Sequence, residues 1–308
     1  MKHFSDNLID SVNNKNNPCI VGLDTRYEDI PEFIFNDLAN DDRTTRNSNA
    51  MLKFNKILID LISDKIPIIK VNIAFYERLG IAGLKVFNET INYAKELGLL
   101  VIGDVKRMDI ASTNSSYAQA YLENHVENVN NNYASVDSIT SSIFLGMDSI
   151  DPFFDLCKKN NKGVFFLIKT SNKGSSDFQD KQLSNGRKLY EEMAQRLFEI
   201  SQQDLGEYGY SSLGAVVGAT YPDEAKVIRR ILKNSILLVP GYGKQGGKAS
   251  DLINYFNDDG LGAVINSSRN IIHNNYQKNI SESDFVKVIE KNVKDMIEDI
   301  RNIFNYSK

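Results

Sequence analysis

Cysteine is nearly absent from this chain, at two in 308 residues, too few for the disulfide framework that holds small secreted domains together. Cys19 sits inside an apolar run, where a buried free thiol is expected. The three histidines, His3, His125 and His273, stand far apart in mostly polar surroundings. They have no zinc-type spacing, so surface positions and no metal site are expected. No stretch approaches the roughly 18 apolar residues of a membrane span, and the opening MKHFSDNLIDSVNN carries no apolar signal core, so the expected location is cytoplasmic. Neither sign of charge dominates: 36 basic residues face 40 acidic ones, a net charge of −4, which leaves no global field to draw in nucleic acid or an anionic membrane. An anionic ligand must be gripped locally.

What is present is ordinary globular material, 42% hydrophobic and 25% charged, enough for a sizeable core. At about 150 residues per domain the length suits two domains or one large barrel. Eight short apolar runs recur, each followed by a polar hinge and a helix-period segment: 19–24, 67–72, 99–105, 138–143, 163–170, 213–219, 235–240 and 262–266. The fourth is the weakest. Between them lie helical patterns such as Leu84, Phe87, Ile91 and Ala94, stopped by Gly98, and one that opens on Pro222-Asp223-Glu224. A last helix is expected from Ser281 with Asp284 as a capping partner, its apolar face running from Phe285 to Phe304.

Nearly continuous apolar strands alternating with amphipathic helices predict a parallel sheet covered by helices, and eight units predict a (β/α)8 TIM barrel. A doubly wound sheet would call for a glycine fingerprint after the first strand, which Gly22-Leu23-Asp24-Thr25-Arg26 does not supply. Neither an internal repeat nor an interdomain linker interrupts the pattern, so a single domain over 1–308 is expected. Polar stretches at about 29–49, 124–133 and 171–186 exceed ordinary loops. The first two read as solvated insertions without chemistry.

In a parallel barrel the C-terminal ends of the strands carry the chemistry, so charges that terminate apolar runs are informative. Asp24 ends the first run, Lys70 lies near the end of the second, and Asp104 with Lys106 ends the third. A two-residue period points Asp104 and Lys106 the same way, and Asp109 adds a second carboxylate on the following loop. Taken alone, this could equally be a strand-end ion pair that satisfies itself. Pro240-Gly241-Tyr242-Gly243-Lys244-Gln245-Gly246-Gly247 follows the seventh run, and Asn266-Ser267-Ser268-Arg269 the eighth. Those two loops are where such barrels bind phosphate, with glycines admitting backbone N–H groups and arginine gripping oxygens in pairs.

The sequence resembles the orotidine 5′-monophosphate decarboxylase family. Its motif Asp-x-Lys-x-x-Asp-Ile stands here as Asp104, Lys106, Asp109 and Ile110, supported by Gly22-Leu23-Asp24, Lys70-Val71-Asn72, Lys169-Thr170-Ser171 and both phosphate loops. The resemblance implies decarboxylation of orotidine 5′-monophosphate to uridine 5′-monophosphate without metal or cofactor. It also implies a charged array of Lys70, Asp104, Lys106 and Asp109, the last given by the partner subunit of a homodimer. Asp24 and Thr113 correspond to ribose contacts, Ile110 belongs to the substrate-binding motif, and Ser171 corresponds to a pyrimidine contact. Gln245 and Arg269 correspond to phosphate ligands. Some members have glycine where Ser268 stands, a change that keeps a backbone N–H contact. Asp104 would face the departing carboxylate, either stressing it or positioning Lys106.

Two other readings compete. Metal-dependent hexulose-phosphate synthases and keto-gulonate-phosphate decarboxylases resemble the strand-three motif, but they carry a metal-binding glutamate on the second strand. Here that charge is Lys70, which repels a divalent cation. A non-catalytic nucleotide-binding barrel would be expected to have lost part of the charged array, and none is missing.

Overall fold

The computed structural model describes residues 2–38, 42–124, 135–243, 246–247, 249–273 and 276–305. Its eight strands are β1 (Cys19–Leu23), β2 (Ile68–Asn72), β3 (Leu100–Arg107), β4 (Ser138–Ser141), β5 (Gly163–Lys169), β6 (Leu213–Val217), β7 (Leu237–Pro240) and β8 (Ala263–Ser267). All pair in parallel and in sequence order, and β8 closes on β1 through Cys19 opposite Ile265. The chain is a (β/α)8 barrel, and every one of the eight expected strands forms. The weak fourth run is the shortest in the sheet along with β7, at four residues each.

Strand residues alternate between two cores. Ile20, Ile68, Ile102, Phe165, Val216, Leu238 and Val264 pack together inside the barrel, whereas Val21, Ile69, Val101, Val164, Ala215, Leu237 and Ile265 pack outward against the helices. That division follows from the two-residue period of a strand and explains why the runs are apolar throughout: both faces are buried. The N-terminal end of the barrel is stoppered by the helix Phe4–Lys15, whose Phe4, Leu8 and Ile9 join the inner core. Phe4 meets Phe165 edge-on at 6.1 Å. The C-terminal end is left open.

Helix boundaries largely follow the sequence signals. The helix Gly80–Glu96 stops before Gly98, which takes φ +78°, and the helix Pro222–Ile231 begins on its proline. In the last helix, Glu282–Asn305, Ser281 Oγ accepts from the Asp284 N–H at 3.2 Å, as the capping pattern predicts.

Three expectations need correction. The stretch 29–49 is not a solvated insertion: Glu32–Leu38 forms a 3-10 helix, Asp42 caps the helix Arg43–Ile62, and Ile30 and Ile34 are buried. Most of its described polar residues are at least partly exposed while a few apolar side chains at helical spacing hold it down. His273 is not a surface residue, since its side chain is 8% exposed and its Nε2 lies 3.1 Å from the Asp24 carbonyl. His3 is also drawn in, 3.1 Å from Asp204 and 2.8 Å from Ser5 Oγ, where it serves the first helix's N-terminus. His125, and 125–133 of the asparagine-rich stretch, lie outside the described residues. Cys19 and Cys157 are buried free thiols, and burial pushes both thiol pKa values up.

Phe285 of the last helix is fully buried among Phe33, Phe54 and Tyr276, at ring distances of 5.7, 5.7 and 5.2 Å. It joins the last helix to the 3-10 segment and to the helix Arg43–Ile62. Phe285→Ala should therefore cost about 3–5 kcal/mol in urea unfolding. A loss under about 1 kcal/mol would mean that segment is not part of the core.

Candidate active site

The inward row at the open end changes chemistry. Continuing the inner alternation upward brings one residue from each strand or its end to the floor of a cavity of about 310 Å3: Asp24, Lys70, Asp104, Thr140, Leu167, Val216, Leu238 and Asn266. Lys70 shares its face with Ile68, and Asp104 shares its face with Ile102. The same periodicity that builds the core delivers the charges.

Lys70 is the buried centre of this row. Its Nζ donates to Asp24 Oδ1 and Asp104 Oδ2, each at 2.9 Å, with its side chain only 6% exposed. Burial alone would lower its pKa, but the Asp104 and Asp24 carboxylates outweigh that and hold it above the usual lysine value. Burial would likewise raise Asp104, yet Lys70 and Lys106 keep its carboxyl well below the usual range. The other oxygen of Asp104 accepts from Lys106 Nζ and, at 2.8 Å, from Thr140 Oγ1.

Lys106 reaches this position by a backbone irregularity. Gly103 pairs with Ile139 but Arg107 with Ser141, so three residues of β3 stand opposite the single Thr140 of β4. At the bulge Lys106 adopts φ +45°, and its N–H donates to Thr140 Oγ1 at 3.1 Å. A left-handed conformation at a non-glycine residue costs on the order of 1 kcal/mol or more, which the Thr140 and Asp104 contacts offset. A second shift between Leu167 and Lys169 takes Lys169 out of the inward row. Lys169 is fully buried beside the cavity, paired with Asp180 at 2.7 Å and lying over the Tyr221 ring at 4.3 Å. It secures the loop that carries Ser171.

Around the mouth, Ser171 and Asn172 follow β5, Gly241 and Tyr242 follow β7, and Ser268, Arg269 and Asn270 follow β8. Room for them is made by glycine. A Cβ on Gly22 would lie 2.0 Å from Ser268 Oγ, and one on Gly218 would lie 2.6 Å from the Ser171 backbone. Tyr242 ties the glycine loop to the last helix by donating to Asp299 at 2.6 Å.

The cavity thus gathers seven of the expected residues: Asp24, Lys70, Asp104, Lys106, Ser171, Ser268 and Arg269. Gln245 lies outside the described residues. Asp109, Ile110 and Thr113 do not line the cavity of their own chain. Asp109 instead accepts from the Ile110 N–H at 2.7 Å, and the Ile110 side chain is 61% exposed. Sequence reasoning missed the roles of Thr140 and Asn266. Both share the inward face, and Asn266 keeps a buried side-chain oxygen with no hydrogen-bond partner. Among the described residues no group of three or more His, Cys, Asp or Glu side chains could hold a metal ion, and no helix is long and apolar enough to cross a membrane.

A (β/α)8 barrel with a charged cavity at the C-terminal ends of its strands is an architecture characteristic of enzymes. The family model for the orotidine 5′-phosphate decarboxylase / HUMPS family matches residues 18–282, and the chain belongs to that family. The orotidine 5′-phosphate decarboxylase of Clostridium tetani is 40% identical over 291 residues, covering 94% of this chain and 96% of the relative. That of Caldicellulosiruptor bescii is 39% identical, covering 96% and 98%. A solved structure, a putative orotidine 5′-phosphate decarboxylase from Streptomyces avermitilis, superposes with a TM-score of 0.79 at 28% identity, covering 98% of this chain and 96% of its own. By this kinship the chain is a carboxy-lyase.

The charge array has a measurable pH signature. Because the native Asp104 pKa is depressed, its ionic contacts contribute full stability above its ordinary value near 3.8 and lose it as pH falls through the native value. The stability gap between wild type and Asp104→Asn should be constant from about pH 5 to 8 and narrow below about pH 4. Urea midpoints across that range check this. A gap that does not change with acid would contradict the ionised array.

Proposed function

We propose that the protein decarboxylates orotidine 5′-monophosphate to uridine 5′-monophosphate, the last step in making that nucleotide, and that the whole barrel serves as one catalytic unit. The observation that carries this reading is the continuous chain Asp24–Lys70–Asp104–Lys106 at the cavity floor, with Arg269 at the mouth. Loss of CO2 breaks the bond at C6 and leaves the electron pair in the plane of the ring, where the π system cannot take it up. A fixed ammonium beside C6 stabilises that pair without reorganising and then gives it a proton, forming the C6–H bond. Lys106 suits this role because it lines the cavity, has partial solvent access for reprotonation and is held by Asp104. Lys70 is locked between two carboxylates and positions them. Arg269, with Gln245 and the Ser268 N–H, would hold the phosphate, whose remote binding energy is available to close the loops and exclude water. Ser171 would meet the pyrimidine and Asp24 the ribose.

No step in this reading needs a metal or cofactor. The second-strand charge is a lysine inserted between the two carboxylates that a cation would otherwise seek. That disfavours the synthase branch of the family.

The array is completed, in this reading, by a second copy of the chain. Asp109, Ile110 and Thr113 lie on the segment after β3 and miss their own cavity. Apolar side chains are exposed there and on the next loop: Met108, Ile110, Phe144 and Leu145 are 40, 61, 69 and 46% exposed. An isologous contact would cover them and carry Asp109 and Thr113 to the partner's substrate.

Absorbance loss on adding orotidine 5′-monophosphate should proceed in excess chelator, and Lys106→Ala should lower turnover by about 10^3-fold or more, since the electrostatic and proton-donor contributions vanish together. Chelator-sensitive turnover, or an alanine variant within a few fold of wild type, would refute the assignment. Sharing has its own test. Lys106→Ala and Asp109→Ala proteins, each inactive, should regain activity when their subunits exchange, because a mixed dimer has one intact site. Random pairing makes about half the dimers mixed, so about a quarter of wild-type activity should return. Exchange verified by an independent tag without recovered activity would place Asp109 in its own chain's chemistry.

A further inference from the structure

A second cavity of about 250 Å3 adjoins the first and shares one wall with it, Arg269. Its other lining residues are Arg26, Asp29, His273, Tyr276 and Lys278. Three of the six are permanent cations against one carboxylate. The Arg26 guanidinium stacks over the Phe75 ring at 5.6 Å, and among the described residues neither Arg26 nor Lys278 is ion-paired with a carboxylate. His273 is the buried element of this cavity. Its Nε2 is bound to the Asp24 carbonyl at 3.1 Å, while Nδ1 is buried without a hydrogen-bond partner, 3.7 Å from Asp29. The buried nitrogen is the costly group here, whereas Arg26 and Lys278 are exposed and hydrated. An anion entering the cavity would meet both of these unpaired cations beside Arg269.

We propose that this outer cavity is a second phosphate subsite, and that with the inner one it takes a nucleoside 5′-diphosphate. The proposal rests on the reading of Arg269 as the ligand of the first phosphate. One arginine facing both cavities would then sit between the two phosphoryl groups of a single pyrophosphate, gripping an oxygen of each. Arg26 and Lys278 meet the terminal phosphate. The substrate and product carry one phosphate and leave the outer cavity open. A pyrimidine nucleoside diphosphate fills both and occupies the site competitively, without reaction, since it has no carboxylate to lose.

Titration calorimetry at low ionic strength with uridine 5′-monophosphate and uridine 5′-diphosphate tests this. The diphosphate should bind about fivefold or more tightly than the monophosphate, the size of one or two added charge-assisted contacts. Arg26→Ala and Lys278→Ala should each bring the diphosphate toward the monophosphate while leaving the monophosphate Kd within about twofold of wild type. Inorganic phosphate added with the monophosphate should give no such gain, because only a tethered second group enjoys a high effective concentration. Equal or weaker diphosphate binding in the wild type would overturn the proposal, as would an equal gain from free phosphate or variants that weaken both nucleotides alike. Failure of the monophosphate itself to bind is a different result: it would overturn the reading of the inner cavity on which the proposal stands.

Discussion

One buried cation organises the open end of this barrel. Taking an ammonium out of water costs several kcal/mol unless the surroundings replace its hydration, and Lys70 is almost fully enclosed. Two carboxylates meet that requirement, one from the end of β1 and one from β3, the strands on either side of β2. Their placement is then no longer free. Asp24 is held through its own carbonyl and through both neighbours: the Leu23 carbonyl accepts from Tyr76, the Asp24 carbonyl faces His273, and the Thr25 hydroxyl donates to Asn55. Asn55 in turn donates to Tyr76 and Thr90, so the polar groups behind β1 satisfy one another in the core. Such a support fixes charges before any substrate arrives, and preorganisation of this kind makes electrostatic stabilisation effective.

The barrel's periodicity supplies the rows, and its irregularities supply the exceptions. A regular β3 would point Asp104 inward and carry Lys106 one full layer higher along the same face, about 7 Å away at the rise of a strand. The bulge opposite Thr140 folds that distance back, so both side chains meet on one carboxylate. On β5 a comparable shift does the reverse, removing Lys169 from the row and aiming it at Asp180 and the loop beyond. Two lysines near the ends of two strands therefore acquire different surroundings, one lining the cavity and one steadying the loop beside it.

Legibility in the sequence follows from the range of the interactions. Strand positions were legible because burial on both faces leaves an uninterrupted apolar run, and the Asp104–Lys106 pair stood out because charge interrupts one. Thr140 was not, since a threonine within Ser-Ile-Thr-Ser is unremarkable until a bulge on the neighbouring strand brings two partners to its hydroxyl. The buried state of His273 was hidden in the same way: its partner, Asp24, lies 249 residues earlier in the chain. The segment 29–49 misled because its anchoring residues are few and separated by polar ones, and the face that Phe33 presents to Phe285 is defined by a helix at the other end of the sequence. Asp109 is a different case, because its motif spacing was readable whereas its absence from its own cavity is a property of the folded backbone.

The cavity walls are sorted by polarity around the barrel. Charged and hydrogen-bonding groups come from β1 to β4, whereas β5, β6 and β7 contribute Leu167, Val216 and Leu238 to the same floor, and β8 returns to polar Asn266. The arrangement has an electrostatic consequence. Water would screen a row of ions on every side, but an apolar wall facing the row has no dipoles to turn against its field. The aliphatic half of the floor is thus a part of the electrostatic design: it keeps the local dielectric low where the charged half needs its field to be felt.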